Sequence, residues 1–276
     1  MTTVVPEFET LKIEWVPPLA WLHLNRPSAA NAIDFTMWDE LPRALAWLNS
    51  ESSVRVVILG GAGKHFTAGI DFSVLEDLQR KASDPQRETR GREAVLDFIE
   101  RAQSAFSAFE RLRVPVIAAV NGACIGGGVD LIAACDLRLC TRDARFCVKE
   151  VDLAIVPDVG TLQRLGHVIG YSAVAELAYT GETFDAARAQ ALGLVSRICD
   201  SNEALIEAAT SLARSIAGKS PAAVRGIKRN LLWARDHSVQ DGLAYTAAWN
   251  AAMLVGEDLR EAVDAYRTKR APTFKD

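Results

Sequence analysis

Short strand-like runs alternate with longer helical patterns through the first 200 residues, and after that the strands stop. The runs LAWLHL (19–24), VRVVILGG (54–61), VPVIAAV (114–120) and DLRLCT (136–141) are apolar and bounded by Gly, Pro, Asn or Asp, so they read as strands. Helical patterns near 33–49, 92–112 and 126–135 separate them, which confines the chain to an α/β architecture with a mainly parallel core. From 202 to 266 the pattern is helical, with apolar residues three and four apart and a helix start at Ser220-Pro221. The expected organisation is a core over 1–200 that carries the active site and a helical region over 201–276. Apolar faces such as LLWA (231–234) and LAYTAAWNAAML (243–254) make that second region an oligomerisation surface. The charged stretch QRKASDPQRETRGRE (79–93), with Pro85 and Gly91, reads as a surface loop, or as a mobile loop beside a pocket.

With 276 residues, 49% hydrophobic and 24% charged, the chain can bury a large core in one big domain or a domain with an appendage. A net charge of −4 argues against a nucleic-acid partner. Cys124, Cys135, Cys140, Cys147 and Cys199 are odd in number, lie among apolar residues and lack CxxC spacing. They read as buried reduced thiols and not as bridges or zinc ligands, so no metal is expected and a reducing compartment fits. MTTVVPEFETLKIEW has no cationic segment leading into an apolar one, and no window approaches a membrane span. The expectation is a cytoplasmic protein without a membrane partner.

The residues that bear on chemistry lie between 121 and 158. NGACIGGGVD sets a Gly-rich turn at the start of an apolar helix and ends in Asp130; Glu150 follows, and Asp158 comes eight positions after it. Glycines let the main chain approach a ligand, and a helix N-terminus carries partial positive charge, so such a turn can hold an oxyanion on its N–H groups. Carboxylates converging on one poorly solvated pocket repel each other, and their pKa values rise and separate until one accepts a proton while another donates. That is equipment for moving a proton next to a carbonyl.

A second turn, GGAGKHFTAGID (60–71), follows the strand at 54–61. Gly63-Lys64 looks like part of a phosphate loop, but that motif needs Gly where Ile58 stands and Ser or Thr where His65 stands, so it is excluded. What remains is a turn whose small residues, Ala68 and Gly69, expose the N–H of Ile70. Each acid also has an ordinary reading: Asp158 as a cap before VGTLQRL, Glu150 as the ion-pair partner of Lys149, Asp130 as a polar residue on the buried side of the glycine helix. Only their combination argues for a site. Cys124 reads as core, His65 as incidental, and RTKR (267–270) as a solvated helix end.

Taken together, HFTAGID and IAAVNGACIGGGVDLIAACDLRLCT resemble the two signature segments of the enoyl-CoA hydratase/isomerase, or crotonase, superfamily. LNRPSAANAI, GTLQRLGHVIG (160–170), ALGLVSRI (191–198) and SPAAV (220–224) extend the likeness over most of the chain. The resemblance implies a crotonase-like spiral of ββα units with a helical C-terminal region, assembled as a homo-trimer or homo-hexamer. It implies an acyl-CoA thioester substrate, coenzyme A being part of that substrate and no separate cofactor being needed. By motif position the N–H groups of Ile70 and Gly127 bind the thioester oxygen, and Thr67, Ala68, Gly69, Asp71 and Gly126 surround the substrate. Asp130, Glu150 and Asp158, with ARDHSVQDGL (234–243), are most similar to the Δ3,5-Δ2,4-dienoyl-CoA isomerases, whereas similar hydratases carry Glu at the first two places. The implied reaction turns a 3,5-dienoyl-CoA into its 2,4-isomer in the β-oxidation of unsaturated fatty acids. A hydratase, a Δ3,Δ2-enoyl-CoA isomerase, and a non-enzymatic RNA-binding or scaffolding homologue are the alternatives.

In such a reaction a proton leaves C2 and another arrives at C6, through a dienolate whose charge collects on the thioester oxygen. Positions several bonds apart suit two carboxyls in opposite protonation states better than one. Asp158 is assigned to C2 and Glu150 to C6, with the reverse order open. Asp130, one methylene shorter than the hydratase Glu, is read as tuning its neighbours through its charge.

Overall fold

Leu11–Val16 (β1) alternates buried and half-exposed or exposed residues, as an edge strand over a core does, and pairs antiparallel with Leu19–Leu24 (β2). The computed structural model describes residues 4–83 and 88–275. After β2 come α1 (Phe35–Ser50), β3 (Val56–Gly61), α2 (Phe72–Ala82), α3 (Glu88–Arg111), β4 (Val116–Val120), β5 (Ala123–Ile125), α4 (Gly127–Ala133), β6 (Leu137–Thr141) and β7 (Arg145–Cys147). Then follow α5 (Thr161–Arg164), α6 (Gly166–Ile169), α7 (Tyr171–Thr180), β8 (Phe184–Asp185), α8 (Ala186–Ala191) and β9 (Arg197–Cys199). Four helices end the chain: α9 (Asn202–Ala217), α10 (Pro221–Arg235), α11 (Val239–Met253) and α12 (Glu257–Thr268).

The main sheet has the order β1-β2-β3-β4-β6-β9 and is parallel from β2 onward. Its strands β2, β3, β4 and β6 are the four expected from the apolar runs. A second sheet, β5-β7-β8, stands apart from it. Strand periodicity sorts the core into two layers. Val57 and Leu59 join the cluster under α1 and α3, with Leu41, Phe106 and Phe109; Val56 and Ile58 face the other way and meet α9. Burying each such aromatic or branched side chain contributes about 1.5–3 kcal/mol.

Helix α9 presents Leu205, Ala209, Ala213 and Ala217 at near-helical spacing to that second face. Packing on the core therefore continues past residue 200, and the helices that project from it begin with α10. The buried Lys228 fastens α10, its Nζ donating to Phe109 O and Val114 O at 3.0 Å and pairing with Asp136 at 2.8 Å. A buried ammonium needs all three partners.

The stretch 79–93 is not a loop over most of its length. Helix α2 continues to Ala82 and α3 begins at Glu88, while 84–87, with Pro85, lie outside the described residues. Arg80 and Lys81 sit in the last turn of α2, where cations oppose the helix dipole, and both pair with Asp77.

Candidate active site

Two turns meet to make the site. In the first, Thr67 N–H donates to Ala123 O at 2.9 Å and Ile125 N–H to Thr67 O at 3.1 Å, so the segment after β3 lies alongside β5. Ile33 N–H donates to Gly69 O and Asp71 N–H to Ile33 O. That bridge leaves the N–H of Ile70 on the opposite edge, without a partner among the described residues. In the second turn Gly126 N–H donates to Cys147 O and Gly127 opens α4, where a first-turn N–H has no intrahelical acceptor. The turns touch at Gly69, whose φ is +93° and where a Cβ would fall 2.7 Å from Ile125 O and 3.7 Å from Gly127 N. Two N–H groups without a partner among the described residues, Ile70 and Gly127, thus flank one cavity.

Asn31 holds the first turn in place. Its Nδ2 donates to Ala62 O and His65 O, while its own carbonyl accepts from Thr67 Oγ1 at 2.7 Å. His65 is not incidental: its Nδ1 accepts the Ala123 N–H at 3.1 Å and ties the two turns together.

The cavity is about 680 Å³, walled by apolar side chains including Trp38, Phe72, Leu75, Phe98 and Ile99 from α1 to α3. Glu150 and Asp158 line it too, together with Gly126 and Val159. Glu150 Oε1 lies 3.1 Å from where a Cβ on Gly126 would stand. Asp130 is fully buried and does not reach the cavity; its Oδ1 accepts the Thr161 N–H at 2.6 Å. Asp130 is the polar residue on the buried side of the glycine helix, but the ordinary readings of Glu150 and Asp158 fail. Lys149 pairs with Asp152 and not with Glu150, and the residue before α5 is Gly160 and not Asp158.

Burial pushes the Glu150 carboxyl from 4.5 up to about 7, and the negative charge of Asp130 is the next cause. Burial likewise lifts Asp130 to about 6, against the pull of its Thr161 hydrogen bonds. Asp158 is raised by burial and drawn back by a backbone hydrogen bond. Asp130 Oδ2 and Glu150 Oε2 are both buried without a donor. Two carboxylates cannot bond each other, so a hydrogen bond between Asp130 and Glu150 exists only while one of them carries a proton.

Comparison with known proteins gives this geometry its lineage. The enoyl-CoA hydratase/isomerase family model matches residues 18–276. The chain belongs to that family. A Δ(3,5)-Δ(2,4)-dienoyl-CoA isomerase of Arabidopsis thaliana peroxisomes is 49% identical over 92% of this chain and 91% of its own. The mitochondrial protein of that name from Homo sapiens is 47% identical over 88% of this chain and 74% of its own. A solved structure of a putative enoyl-CoA hydratase from Streptomyces coelicolor superposes with a TM-score of 0.89 at 28% identity, covering 99% of this chain and 97% of that one. The crotonase fold with a helical C-terminal region is therefore the fold of this chain.

In this family member Ala68, Gly69, Ile70, Gly126 and Gly127 line the cavity, whereas Thr67 and Asp71, expected beside the substrate, do not. Successive side chains of an extended segment point to opposite sides. Thr67 and Asp71 turn toward 26–33, where Asp71 caps α2 through Ser73 N–H and pairs with Arg26 at 3.0 Å. Ser73 and then Arg26 hold the Asp71 carboxyl below the usual range. Burial pushes the Cys124 thiol well up, so it is inert core. Arg270, in the basic tail, pairs with Glu261 and Asp264. Among the described residues no cluster of His, Cys, Asp or Glu could hold a metal, and no helix is long and apolar enough to cross a membrane.

Proposed function

We propose that this chain converts 3,5-dienoyl-CoA into 2,4-dienoyl-CoA by moving a proton from C2 to C6. The observation that carries the reading is the division of labour among three carboxyls: Glu150 and Asp158 reach the cavity beside the free N–H groups, and Asp130 stays behind them. With the thioester oxygen on Ile70 and Gly127, Asp158 removes a C2 proton and the electrons delocalise onto that oxygen. Losing one such donor costs about 3 kcal/mol of barrier. Glu150, lifted to about 7, is protonated in about half of the molecules at neutral pH and delivers that proton to C6, leaving double bonds at C2 and C4. A hydratase would need an acid placed to activate water at C3. Asp130, buried and bonded to Thr161, is not so placed. The names and identities of the isomerase relatives support the same reading.

The test is to incubate the protein with a 3,5-dienoyl-CoA in D₂O and follow the absorbance of the conjugated 2,4-diene, then locate deuterium by mass spectrometry. Deuterium at C6 and no ¹⁸O from labelled water are expected. Rapid ¹⁸O uptake from a 2-enoyl-CoA into a 3-hydroxyacyl-CoA, with no diene from the first substrate, would refute the isomerase reading. A homo-trimer or homo-hexamer formed through α10 to α12 is proposed as well, because Leu231, Leu243, Val255 and Tyr266 there are each more than 60% exposed. The cytoplasm is the proposed compartment, supported by five free buried thiols; peroxisomal and mitochondrial locations belong to the names of relatives.

A further inference from the structure

The segment 155–160 carries Asp158 yet has no regular secondary structure, so its position must be set from outside. Helix α3 sets it. Gln103 Nε2 donates to Asp158 O at 2.7 Å. Arg164 Nη1 donates to Val159 O at 3.1 Å, its Nη2 donates to Ser107 Oγ at 2.7 Å, and its Nε lies 2.9 Å from Glu110 Oε2. Gln103, Ser107 and Glu110 are spaced four and three apart, one face of a helix. The guanidinium passes over Gly160 so closely that a Cβ there would lie 1.6 Å from Nη1. The next residue, Thr161, gives its N–H to Asp130. Glu110 is itself held by Arg235 of α10.

We propose that Arg164 is a positioning residue of the reaction: it fixes Asp158 at the cavity and, through Thr161, fixes Asp130 against Glu150. This rests on the isomerase reading above. Arg164 does not line the cavity, so it acts only through the groups it holds. Three contacts in a fixed planar fork are what a guanidinium supplies and an ammonium cannot. Its side chain is 11% exposed and that of Glu110 12%, so water screens the pair little. Its positive charge also pulls the Asp130 carboxyl down, which makes protonation a second readout.

Arg164→Ala, Arg164→Lys, Glu110→Gln and Gln103→Ala in the full chain test this. Arg164→Ala is expected to lower kcat roughly 10- to 100-fold with KM changed less than about two-fold, the scale of a displaced catalytic group. The limb of its kcat–pH profile set by the Asp130–Glu150 pair should move, because losing the positive charge raises the Asp130 carboxyl. Arg164→Lys should keep that limb in place and still show depressed kcat; Glu110→Gln and Gln103→Ala should lower kcat to a smaller degree. Hydrogen exchange over 155–165, measured without substrate, should accelerate in Arg164→Ala. An inactive wild type would sink the isomerase reading, and exchange alone then decides the brace: acceleration supports it, wild-type exchange overturns it. A folded Arg164→Ala with wild-type kcat and pH profile also overturns it. Should that variant not fold, wild-type kcat and exchange in both Glu110→Gln and Gln103→Ala overturn it instead.

Discussion

Replacing Asp130 by Asn should shift the pH range in which Glu150 can donate a proton. The charge of Asp130 is the second cause, after burial, of the rise of Glu150 from 4.5 to about 7. Asn keeps an Oδ1 acceptor for the Thr161 N–H and turns the unpartnered Oδ2 into a donor. The like charge disappears and an N–H faces Glu150, and both changes favour its ionised form. A displacement of about one pH unit to the acid side corresponds to about 1.4 kcal/mol of lost interaction. At pH 7 the protonated share of Glu150 then falls from about a half to about a tenth, so kcat drops about five-fold there and far less near pH 5.5. The assay is kcat for a 3,5-dienoyl-CoA from pH 5 to 9, read by diene absorbance. The basic limb should move by about one pH unit while KM holds. An unmoved limb would refute the electrostatic role of Asp130. A loss larger than that of Glu150→Gln or Asp158→Asn would show that Asp130 acts on the substrate directly.

Glu150→Gln and Asp158→Asn should each lower kcat at least roughly 100-fold with acyl-CoA affinity nearly unchanged, the size of a lost general acid or base, and wild-type-like turnover in either removes that residue from the mechanism. The acids also make stability depend on pH: Asp130 rises from 3.8 to about 6 and Glu150 from 4.5 to about 7, so between those limits the folded chain binds more protons than the unfolded one and stability falls as pH rises. Glu150→Gln should therefore match wild type in unfolding free energy from urea titration at pH 4 and exceed it at pH 8 by on the order of 2 kcal/mol, allowing for partial exposure and the neighbouring Asp130; equal stability at pH 8 would contradict the raised value. Light scattering at micromolar concentration should give a trimer or hexamer, and a monodisperse monomer would oppose the assembly proposed for α10 to α12.

How much of this was legible in the sequence follows from where each signal resides. β2, β3, β4 and β6 are apolar runs of five or six residues, whereas β5, β7 and β8 have two or three and offer no periodicity to read. β1 does alternate, through Leu11, Ile13 and Trp15, and it was open to the same reasoning. Asp130, Glu150 and Asp158 stood out because glycines precede them at fixed offsets. Gln103 and Arg164 did not, since their contacts reach Asp158 and Ser107 across 55 and 57 positions that no local pattern encodes. Thr67 and Asp71 were placed at the substrate by their position in the HFTAGID motif, but an extended segment sends neighbouring side chains to opposite sides. His65 was passed over because its partner is a backbone N–H 58 positions away.

Glu150, Asp158 and a dienolate oxygen are tolerable in one apolar site of the proposed reaction only if their charges are never present together. At 4 Å and an effective dielectric of 20, each additional like-charge contact costs about 4 kcal/mol. The proposed sequence avoids this. Before turnover Asp158 is ionised and Glu150 holds its proton; Asp158 then takes the C2 proton as the charge passes to the oxygen on Ile70 and Gly127. When Glu150 protonates C6, the oxygen loses its charge and Glu150 gains one. Among these groups a single negative charge moves across the site and is not doubled. Asp130 is outside this exchange. It stands in the first turn of α4, the helix whose N-terminal N–H is proposed to receive the oxyanion, so an ionised Asp130 draws on the same field as the dienolate would. At about 6 against about 7, Asp130 is the first of the pair to ionise, and the cost of its charge to the oxyanion is set against the proton that this charge keeps on Glu150 for delivery to C6.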